Sequence, residues 1–437
     1  MIILEVYSRA MRHGVLAWHL ASIFGRFCRV CLTLFQLLEG GSEILGTTAY
    51  WSDMDILCIL PKYINIYDFI EEDASGLYGS LMAIMSSDNI NIVKTSRILM
   101  LEFKLNGIDV DLIYAQIPFE KIETDFDIMD NEIIEWNKNA RSILALAGVR
   151  CLKIIRQEYI CQNQELLVLL MRYVKIWAKN RLIYSNIAGY LSGHSLSIMS
   201  ANICIEFPEA TSLSFFIEQF FNLYNSWEWG EKPLFLVDLI DTNKVFEHAS
   251  TIVEPWRWVK NDDSSSETGS SEKRGTKNEG NDGAQMSIIT PGFPEQNTTF
   301  NVNKFTLKRI VGEIERGSEI IQQYSQQEST HVWNELITPL DWKNNYNYFI
   351  LILCRAGEFE GGFFLGSLSG EDRIRYSCCG KIHWREDAFE PSRKGPRPKH
   401  NRLCHHPSRC WVIYFHLYSF CKCGHIISEF GKLEIEG

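Results

Sequence analysis

The sequence has no run of apolar residues long enough to cross a membrane. The apolar run at 31–38 is far shorter than the roughly 20 residues that a membrane-spanning helix needs. The N-terminus also lacks the positively charged segment and long apolar core of a secretory signal peptide. We therefore expect no membrane partner.

The chain also lacks a basic excess. Its 437 residues carry a formal net charge of −11, although phosphate contacts require Lys and Arg. Any path for a nucleic acid must therefore be a local basic groove. The 46% hydrophobic fraction is ample for packed cores, and the length predicts two to three domains at about 150 residues per domain.

A disulfide framework is absent as well. The 13 cysteines are odd in number and irregularly spaced, which favours reduced thiols in the cytosol or the nucleus. Cys and His residues are frequent between 378 and 425, but their spacing does not form the regular pairs of a zinc site. A structural zinc there is the alternative to reduced cysteines. The basic run at 393–402 suits a phosphate-contacting loop, a nuclear-import signal or a solvated loop.

Two stretches place carboxylates on predicted strands. Asp53 and Asp55 open an apolar run, and because side chains alternate along a strand, the two share one face. Asp109 and Asp111 share a face of a second strand, which follows a hairpin turn at Gly107. If the two strands are neighbours in one sheet, their carboxylates converge.

Converging carboxylates repel one another unless a cation neutralises them, and divalent cations prefer oxygen ligands. Three such aspartates can hold two Mg²⁺ ions that act on an attacking hydroxyl and on a triphosphate. The glycine-rich turn with Gly41 and Ser42 lies upstream, and its backbone N–H groups and hydroxyl suit a phosphate. The combination suggests nucleotidyl transfer, whereas a lone Asp-x-Asp is more often a solvated strand end.

The motifs resemble those of the eukaryotic nuclear poly(A) polymerases, a branch of the DNA polymerase beta-like nucleotidyltransferases. The resemblance runs from about 37 to 336. It is carried, in order, by Gly41-Ser42, Asp53-x-Asp55, Gly107-Ile-Asp-Val-Asp111, Lys175-Ile-Trp-Ala-Lys179, Ile183-Tyr-Ser-Asn-Ile187 with Gly193, Ser226-Trp-Glu-Trp229 and the block at 288–302. Agreement in this order is too specific for chance.

The resemblance implies an α/β plus α protein with four regions. They are a helical lead-in at 1–38, a palm-type nucleotidyltransferase domain at 39–140, a central helical domain at 141–345 and a small α/β, RNA-recognition-like domain at 346–437. The segment 261–284 is low in complexity and has no apolar residue before Ala284, so we predict a disordered insertion. A phosphorylated regulatory loop is the alternative.

The resemblance also implies an activity: template-independent addition of AMP from ATP to the 3′-hydroxyl of pre-mRNA in the nucleus, with cleavage and polyadenylation factors as partners. The site residues fall into two groups. Two Mg²⁺ (or Mn²⁺) ions would be held by Asp53, Asp55 and Asp111, which are also the catalytic residues. ATP would be contacted by Gly41, Ser42, Lys175, Tyr184, Asn186, Gly193 and His194.

The chain departs from the family at several positions. Glu102 stands where the family carries a nucleotide-contacting Lys, with Lys104 two places along on the same strand face. Ala147 stands where the family has an Asn, and His194 where it has a Val. Two alternatives follow: a nucleotidyltransferase with a different nucleotide preference, or a weak or inactive paralogue that serves as an RNA-binding or scaffold subunit.

Three helices are predicted from apolar periodicity: one over 64–85, one over 165–179 and one over 306–324. The second has an apolar stripe at Leu166, Leu169, Leu170, Tyr173, Ile176 and Trp177, with Lys175 beside it. The apolar run at 346–353 predicts a buried strand that opens the last domain.

Overall fold

The computed structural model describes residues 35–49, 52–72, 76–84, 90–105, 107–123, 125–157, 161–236, 245–256, 284–324, 331–341, 350–353 and 413–416. The chain divides into two compact units, 1–339 and 340–437. The predicted lead-in before residue 35, the predicted insertion up to residue 283, the basic run and the Cys- and His-rich tail lie outside the described residues.

The first unit contains a five-stranded sheet with strand order β1-β2-β5-β4-β3. β2 and β5 are parallel, and the other neighbouring pairs are antiparallel. The strands are β1 (Gln36–Glu39), β2 (Met54–Leu60), β3 (Ile90–Lys94), β4 (Leu99–Leu105) and β5 (Ile108–Gln116). The hairpin between β4 and β5 turns at Gly107, whose φ of 83° lies in the left-handed region that favours glycine.

Two predictions about this region are wrong. The helical lead-in was expected to run to residue 38, but 36–38 belong to β1, where antiparallel pairing with β2 satisfies the backbone. The helix predicted over 64–85 is two helices, α2 (Ile66–Ile70) and α3 (Leu77–Ile84), while α1 (Gly41–Leu45) precedes β2. Asn65 and Asp68 form a capping box at the start of α2, and an extended Glu71 ends it.

Helices make up the rest of the first unit. They are α4 (Glu132–Glu135), α5 (Ala140–Ile155), α6 (Gln164–Asn180), α7 (Gly193–Glu206), α8 (Leu213–Asn225), α9 (Glu247–Ile252), α10 (Lys304–Tyr324) and α11 (His331–Leu336). In the second unit, β6 (Ile350–Leu353) pairs in parallel with β7 (Ile413–His416). No helix in the described part of the chain is long and apolar enough to span a membrane.

The helix predicted over 165–179 is present as α6, but its buried face differs from the predicted stripe. Leu169 and Ile176 are 43% and 47% exposed, whereas Leu167, Met171 and Val174 are buried. The apolar residues of α6 cover more than half of its circumference, so periodicity alone did not identify the face that meets the core.

The helical core is built around Trp177. The ring of Phe221 on α8 meets the Trp177 indole edge-on, with ring centroids 5.1 Å apart. A buried ion pair ties the end of α6 to α10: Arg181 Nε donates to Glu313 Oε2 at 2.7 Å, and Arg181 Nη2 donates to Oε1 at 3.2 Å. The two-pronged contact satisfies both carboxylate oxygens away from water.

The contact between α8 and α10 leaves no room for a side chain at Gly317. A methyl group there would overlap the ring of Phe221. We predict that Gly317→Ala lowers the free energy of unfolding by about 2 kcal/mol, because the ring cannot move without disturbing Trp177. Thermal unfolding followed by far-UV circular dichroism measures the change.

Gly312 on the same helix provides the matched control. It is exposed, and a methyl group there would meet no atom within 4 Å. Gly312→Ala should leave stability unchanged or raise it by up to about 1 kcal/mol through helix propensity. An equal loss of stability in both variants would contradict the packing argument.

Candidate active site

The parallel pairing of β2 with β5 brings two of the predicted aspartates together. Asp55 and Asp111 are direct partners in the register of the two strands, and neighbouring strands lie about 4.8 Å apart. Asp53 immediately precedes β2 and is exposed. The expected convergence of the two predicted strands is therefore present in the sheet.

The backbone of the glycine-rich turn packs directly on Asp55. The N–H of Gly40 donates to the carbonyl of Asp55 at 2.8 Å. Gly41 has a φ of 48°, and a methyl group on it would overlap the Asp55 carboxylate. Glycine is required at position 41 both by its backbone conformation and by the closeness of this carboxylate.

Burial and mutual repulsion disfavour the charged forms of these two carboxyls. Burial, then Asp53 and Glu43, raises the pKa of Asp55 to about 6, although Lys175 acts in the opposite direction. Burial, then Asp55, Glu102, Asp53 and Asp109, raises the pKa of Asp111 to about 7. The protein alone therefore supplies too little positive charge to stabilise both carboxyl groups in their ionised forms.

The donor chemistry of these residues fits a divalent cation. Carboxylate oxygens are the ligands that Mg²⁺ and Mn²⁺ prefer, and a cation would relieve the repulsion that raises both pKa values. Within the described residues, however, no group of three or more acidic, His or Cys side chains is arranged to hold a metal ion. The carboxylates are neighbours without forming a preassembled cage.

A cleft of about 370 Å³ opens beside the aspartates. Its lining includes eight of the ten predicted site residues: Gly41, Ser42, Asp53, Asp55, Lys175, Tyr184, Gly193 and His194. Asp111 is not among the residues that line it and lies next to Asp55 in the sheet. The cleft has the size of a small-molecule site and, like such sites, a mostly apolar lining with a few charged and polar groups.

Lys175 projects from α6 into this cleft. Burial, then the neighbouring Lys179, lowers the pKa of Lys175, while Asp53 and Asp55 act to raise it. Tyr184 lies in the loop after α6, and burial raises the pKa of its phenol, with Asp53 and Asp55 adding to the effect. The ammonium group of Lys179 lies 5.3 Å from the centroid of the Tyr184 ring. The cleft thus has a cation and an aromatic ring close to the acidic pair.

Asn186 is not among the residues that line the cleft. Its carbonyl oxygen accepts a hydrogen bond from Asn301 Nδ2 at 3.1 Å, and its side-chain Oδ1 is buried without a hydrogen-bond partner. Asn186 therefore ties the loop after α6 to the segment before α10 in this conformation. Its predicted contact with a nucleotide stays a prediction.

Glu102 lies on β4 directly opposite Asp111 and adds to the repulsion that raises the Asp111 pKa. Lys104 forms an ion pair with Asp109 at 3.2 Å, and both side chains are more than half exposed. Lys104 is thus engaged with Asp109.

Sequence reasoning missed the apolar wall of the cleft. α5 contributes Leu144, Ala145, Gly148, Val149 and Leu152, and Met171 and Leu196 add to it from α6 and α7. The signal that could have revealed this wall is Gly148, since a glycine in a helix interior is costly unless the backbone must be approached closely. Ala147, which stands where the family has an Asn, is not among the lining residues.

One rim of the cleft joins the sheet to the segment before α10. Arg97 lies in the turn before β4, next to Ile98, which lines the cleft. Its Nη2 donates to Gln296 Oε1 at 3.0 Å, and its guanidinium lies 4.9 Å from the centroid of the Phe300 ring. Both Arg97 and Phe300 are exposed to solvent.

The sequence matches two family models. One is described as the poly(A) polymerase nucleotidyltransferase domain, over residues 35–157, and the other as the poly(A) polymerase central domain, over 167–339. Poly(A) polymerase of Dictyostelium discoideum is 30% identical over 319 residues, which are 73% of this chain and 35% of that protein. Nuclear poly(A) polymerase 1 of Arabidopsis thaliana is 26% identical over 330 residues, 74% of this chain and 41% of that protein.

The chain therefore spans about a third to a half of the length of the curated relatives it matches. Among solved structures, a Cid1 poly(U) polymerase described as bound to Mg 3′-dATP is 14% identical, with a TM-score of 0.47, and the match covers 77% of this chain and 97% of that one.

The raised pKa of Asp111 predicts that the stability of the folded protein depends on pH. Because the folded state holds the proton more tightly than the unfolded state, stability falls as the pH rises from about 4 to about 7. In the absence of metal, Asp111→Asn should raise the free energy of unfolding at pH 8 by about 2 kcal/mol and at pH 5 by less than half as much. Denaturant titrations at the two pH values measure the difference.

Asp109→Asn is the matched control, since Asp109 lies on the same strand but is exposed and paired with Lys104. It should change stability by less than about 0.5 kcal/mol at either pH. A gain at pH 8 as large as that of Asp111→Asn would show that net charge, rather than the buried position, is responsible.

Proposed function

We propose that this chain, which belongs to the poly(A) polymerase family through its nucleotidyltransferase and central domains, adds AMP from ATP to the 3′-hydroxyl of an RNA without a template. The observation that carries the proposal is the pairing of Asp55 with Asp111 across parallel strands, beside a cleft that contains Lys175. Acidic residues that lie close to a cation and to a glycine-rich turn able to contact a phosphate suit a reaction at a triphosphate.

Asp53, Asp55 and Asp111 would hold two Mg²⁺ or Mn²⁺ ions. When bound, such ions polarise the attacking hydroxyl and neutralise charge on the triphosphate and its leaving group. Asp111, the direct partner of Asp55 in the sheet, would accept the proton of the RNA 3′-hydroxyl.

The remaining side chains would bind and orient ATP. Gly41 lies next to Asp55 and lines the cleft together with Ser42; the Gly41 backbone and Ser42 would contact the triphosphate, and Lys175 would add positive charge. Tyr184, Gly193 and His194 would contact the nucleoside, with Asn186 as a further contact. The 3′-oxygen forms a bond to the α-phosphorus of ATP, the bond to the bridging oxygen breaks, and pyrophosphate leaves.

The biological setting belongs to the same proposal. The RNA substrate would be the 3′ end of a pre-mRNA in the nucleus, and the partners would include cleavage and polyadenylation factors. Relatives with nuclear poly(A) polymerase in their names support the nuclear assignment.

A second candidate function rests on Glu102. A carboxylate directly opposite Asp111 adds negative charge where a triphosphate would need positive charge. A chain weakened in this way would serve as an RNA-binding or scaffold subunit in 3′-end processing, or would prefer a different nucleotide. The retained trio of aspartates favours activity, because clustered acids that repel one another have no structural advantage without metal.

Primer extension separates these functions. The protein is incubated with a labelled oligo(A) primer, Mg²⁺ or Mn²⁺ and each of the four nucleotides in turn. We expect extension with ATP and none from the Asp53→Ala plus Asp55→Ala variant, because that change removes the oxygen ligands of both ions. Extension with another nucleotide alone would support altered preference. No extension by a protein that still binds RNA would refute the catalytic proposal and leave the scaffold.

The role of Lys175 is tested separately. Lys175→Met removes the cation that lines the cleft and should weaken ATP binding about ten-fold or more, the effect of losing one charge-assisted contact. Lys308→Met is the matched control, since Lys308 is exposed, lies on α10 and does not line the cleft. Equal losses in both variants would mean that general electrostatic attraction, not a contact in the cleft, explains the effect.

A further inference from the structure

Two phenylalanine rings are exposed at one rim of the cleft, each beside a cation. Phe300 is 42% exposed, and the guanidinium of Arg97 lies 4.9 Å from the centroid of its ring. Phe305, the second residue of α10, is 59% exposed, and the ammonium of Lys304 lies 5.0 Å from its ring centroid. We call these four residues the rim surface. Exposed aromatic rings within one short segment mark an interaction surface more often than scattered ones do.

The rim surface adjoins the cleft on two sides. Between the two rings in sequence, Asn301 Nδ2 donates to the carbonyl of Asn186 at 3.1 Å, which ties this segment to the loop after α6. The same loop carries Tyr184, which lines the cleft. On the side of the sheet, Arg97 directly precedes the lining residue Ile98. A strand whose end occupied the cleft could therefore continue over this rim.

The stretches of sequence that meet at this rim carry no acidic residue. Three stretches contain Lys or Arg but no Asp or Glu: 89–101, 166–205 and 296–312. The first includes Arg97, the second includes the loop after α6, and the third includes Lys304. The acids that flank the third stretch, Glu295 and Glu313, are buried. In a chain with a net charge of −11, these stretches provide a locally basic region.

Cations that alternate with aromatic rings suit a single-stranded nucleic acid. An unpaired base offers a flat face to an aromatic ring, and the neighbouring phosphate attracts a cation. A duplex keeps its bases stacked inside, so it offers these rings no free face. A hydrophobic protein partner needs a continuous apolar patch, which the cation beside each ring interrupts here.

We propose that the rim surface binds the single-stranded RNA behind its 3′ end. Bases stack on the two phenylalanine rings, and the two cations contact phosphates. The proposal rests on the proposed entry of an RNA 3′ end into the cleft. Arg97 keeps N–H donors for a phosphate, because its hydrogen bond to Gln296 uses only one nitrogen of the guanidinium.

RNA binding without metal or nucleotide tests this assignment. Fluorescence anisotropy in EDTA measures the affinity of the full chain for a labelled oligo(A) of about 15 nucleotides. Phe300→Ala plus Phe305→Ala should weaken binding about ten-fold or more, because two stacking contacts are lost. An unchanged affinity in a double variant that unfolds at the same temperature as the unmodified protein would overturn the proposal and leave a protein partner for these rings.

Tyr67→Ala is the matched control for an exposed aromatic ring. Tyr67 is 68% exposed on α2, which follows the end of β2 remote from Asp55. This variant should bind oligo(A) as the unmodified protein does, and a loss as large as that of the double variant would overturn the proposal.

A duplex of the same length tests the stacking itself. It should bind the unmodified protein about ten-fold more weakly than the single strand, because its bases are not free to stack. Equal affinity for the two would show that phosphates alone are recognised and would also overturn the proposal.

The salt dependence of binding tests the phosphate contact. Lys304→Gln should reduce the slope of log affinity against log salt concentration by about 0.7, the value for one phosphate of a single strand. Lys232→Gln is the control, since Lys232 is also exposed and lies over an aromatic ring, 4.3 Å from the Trp227 centroid. Equal changes in the two variants would show a general attraction and overturn the contact.

The binding readout keeps this inference separate from the polymerase proposal. A protein that extends no primer but loses RNA affinity in the double variant would refute polyadenylation and support the rim surface. A protein that extends primers and keeps its RNA affinity in the double variant would do the reverse.

Discussion

The parallel pairing of β2 with β5 is the constraint on which the rest of the site depends. It fixes Asp55 opposite Asp111, and the low exposure of both raises the free energy of their charged forms. Gly41 lies against the carboxylate of Asp55. The distance between the turn that would contact phosphate and the residue that would bind metal is therefore fixed. The carboxylate pair and the glycine-rich turn, the two features on which the proposed nucleotidyl transfer rests, are therefore positioned relative to one pair of strands.

A site built from mutually repelling groups must be stabilised elsewhere in the fold. The helical core around Trp177 and Phe221 provides dense aromatic packing, and the Arg181–Glu313 pair connects α6 with α10 by two hydrogen bonds. α6 links the two regions, because the same helix that buries Trp177 carries Lys175 into the cleft. The position of the cleft cation is thus determined by core packing more than by its own contacts.

Much of the site followed from the sequence because strand alternation fixes which side chains share a face, as for Asp53 and Asp55, and because the motif blocks are specific. Features that depend on tertiary contacts did not follow. The buried face of α6 was predicted wrongly at Leu169 and Ile176. The apolar character of a residue does not show which tertiary neighbour, if any, buries it. The apolar wall from α5 was missed for the same reason. β1 was read as helix because its backbone partner, β2, lies about twenty residues away.

The rim contact of Arg97 has a consequence for how the cleft opens. Its hydrogen bond to Gln296 and its contact with the Phe300 ring are both at the surface, where interactions of each kind contribute only about 0.5–1 kcal/mol. Thermal motion can therefore separate the β3–β4 turn from the segment before α10 while both cores stay intact. The N–H of Ile98 donates to Thr95 Oγ1 and the N–H of Thr298 donates to the carbonyl of Ile288, so each segment keeps its own hydrogen bonds and such a motion would widen the cleft without exposing these amides to hydrogen exchange.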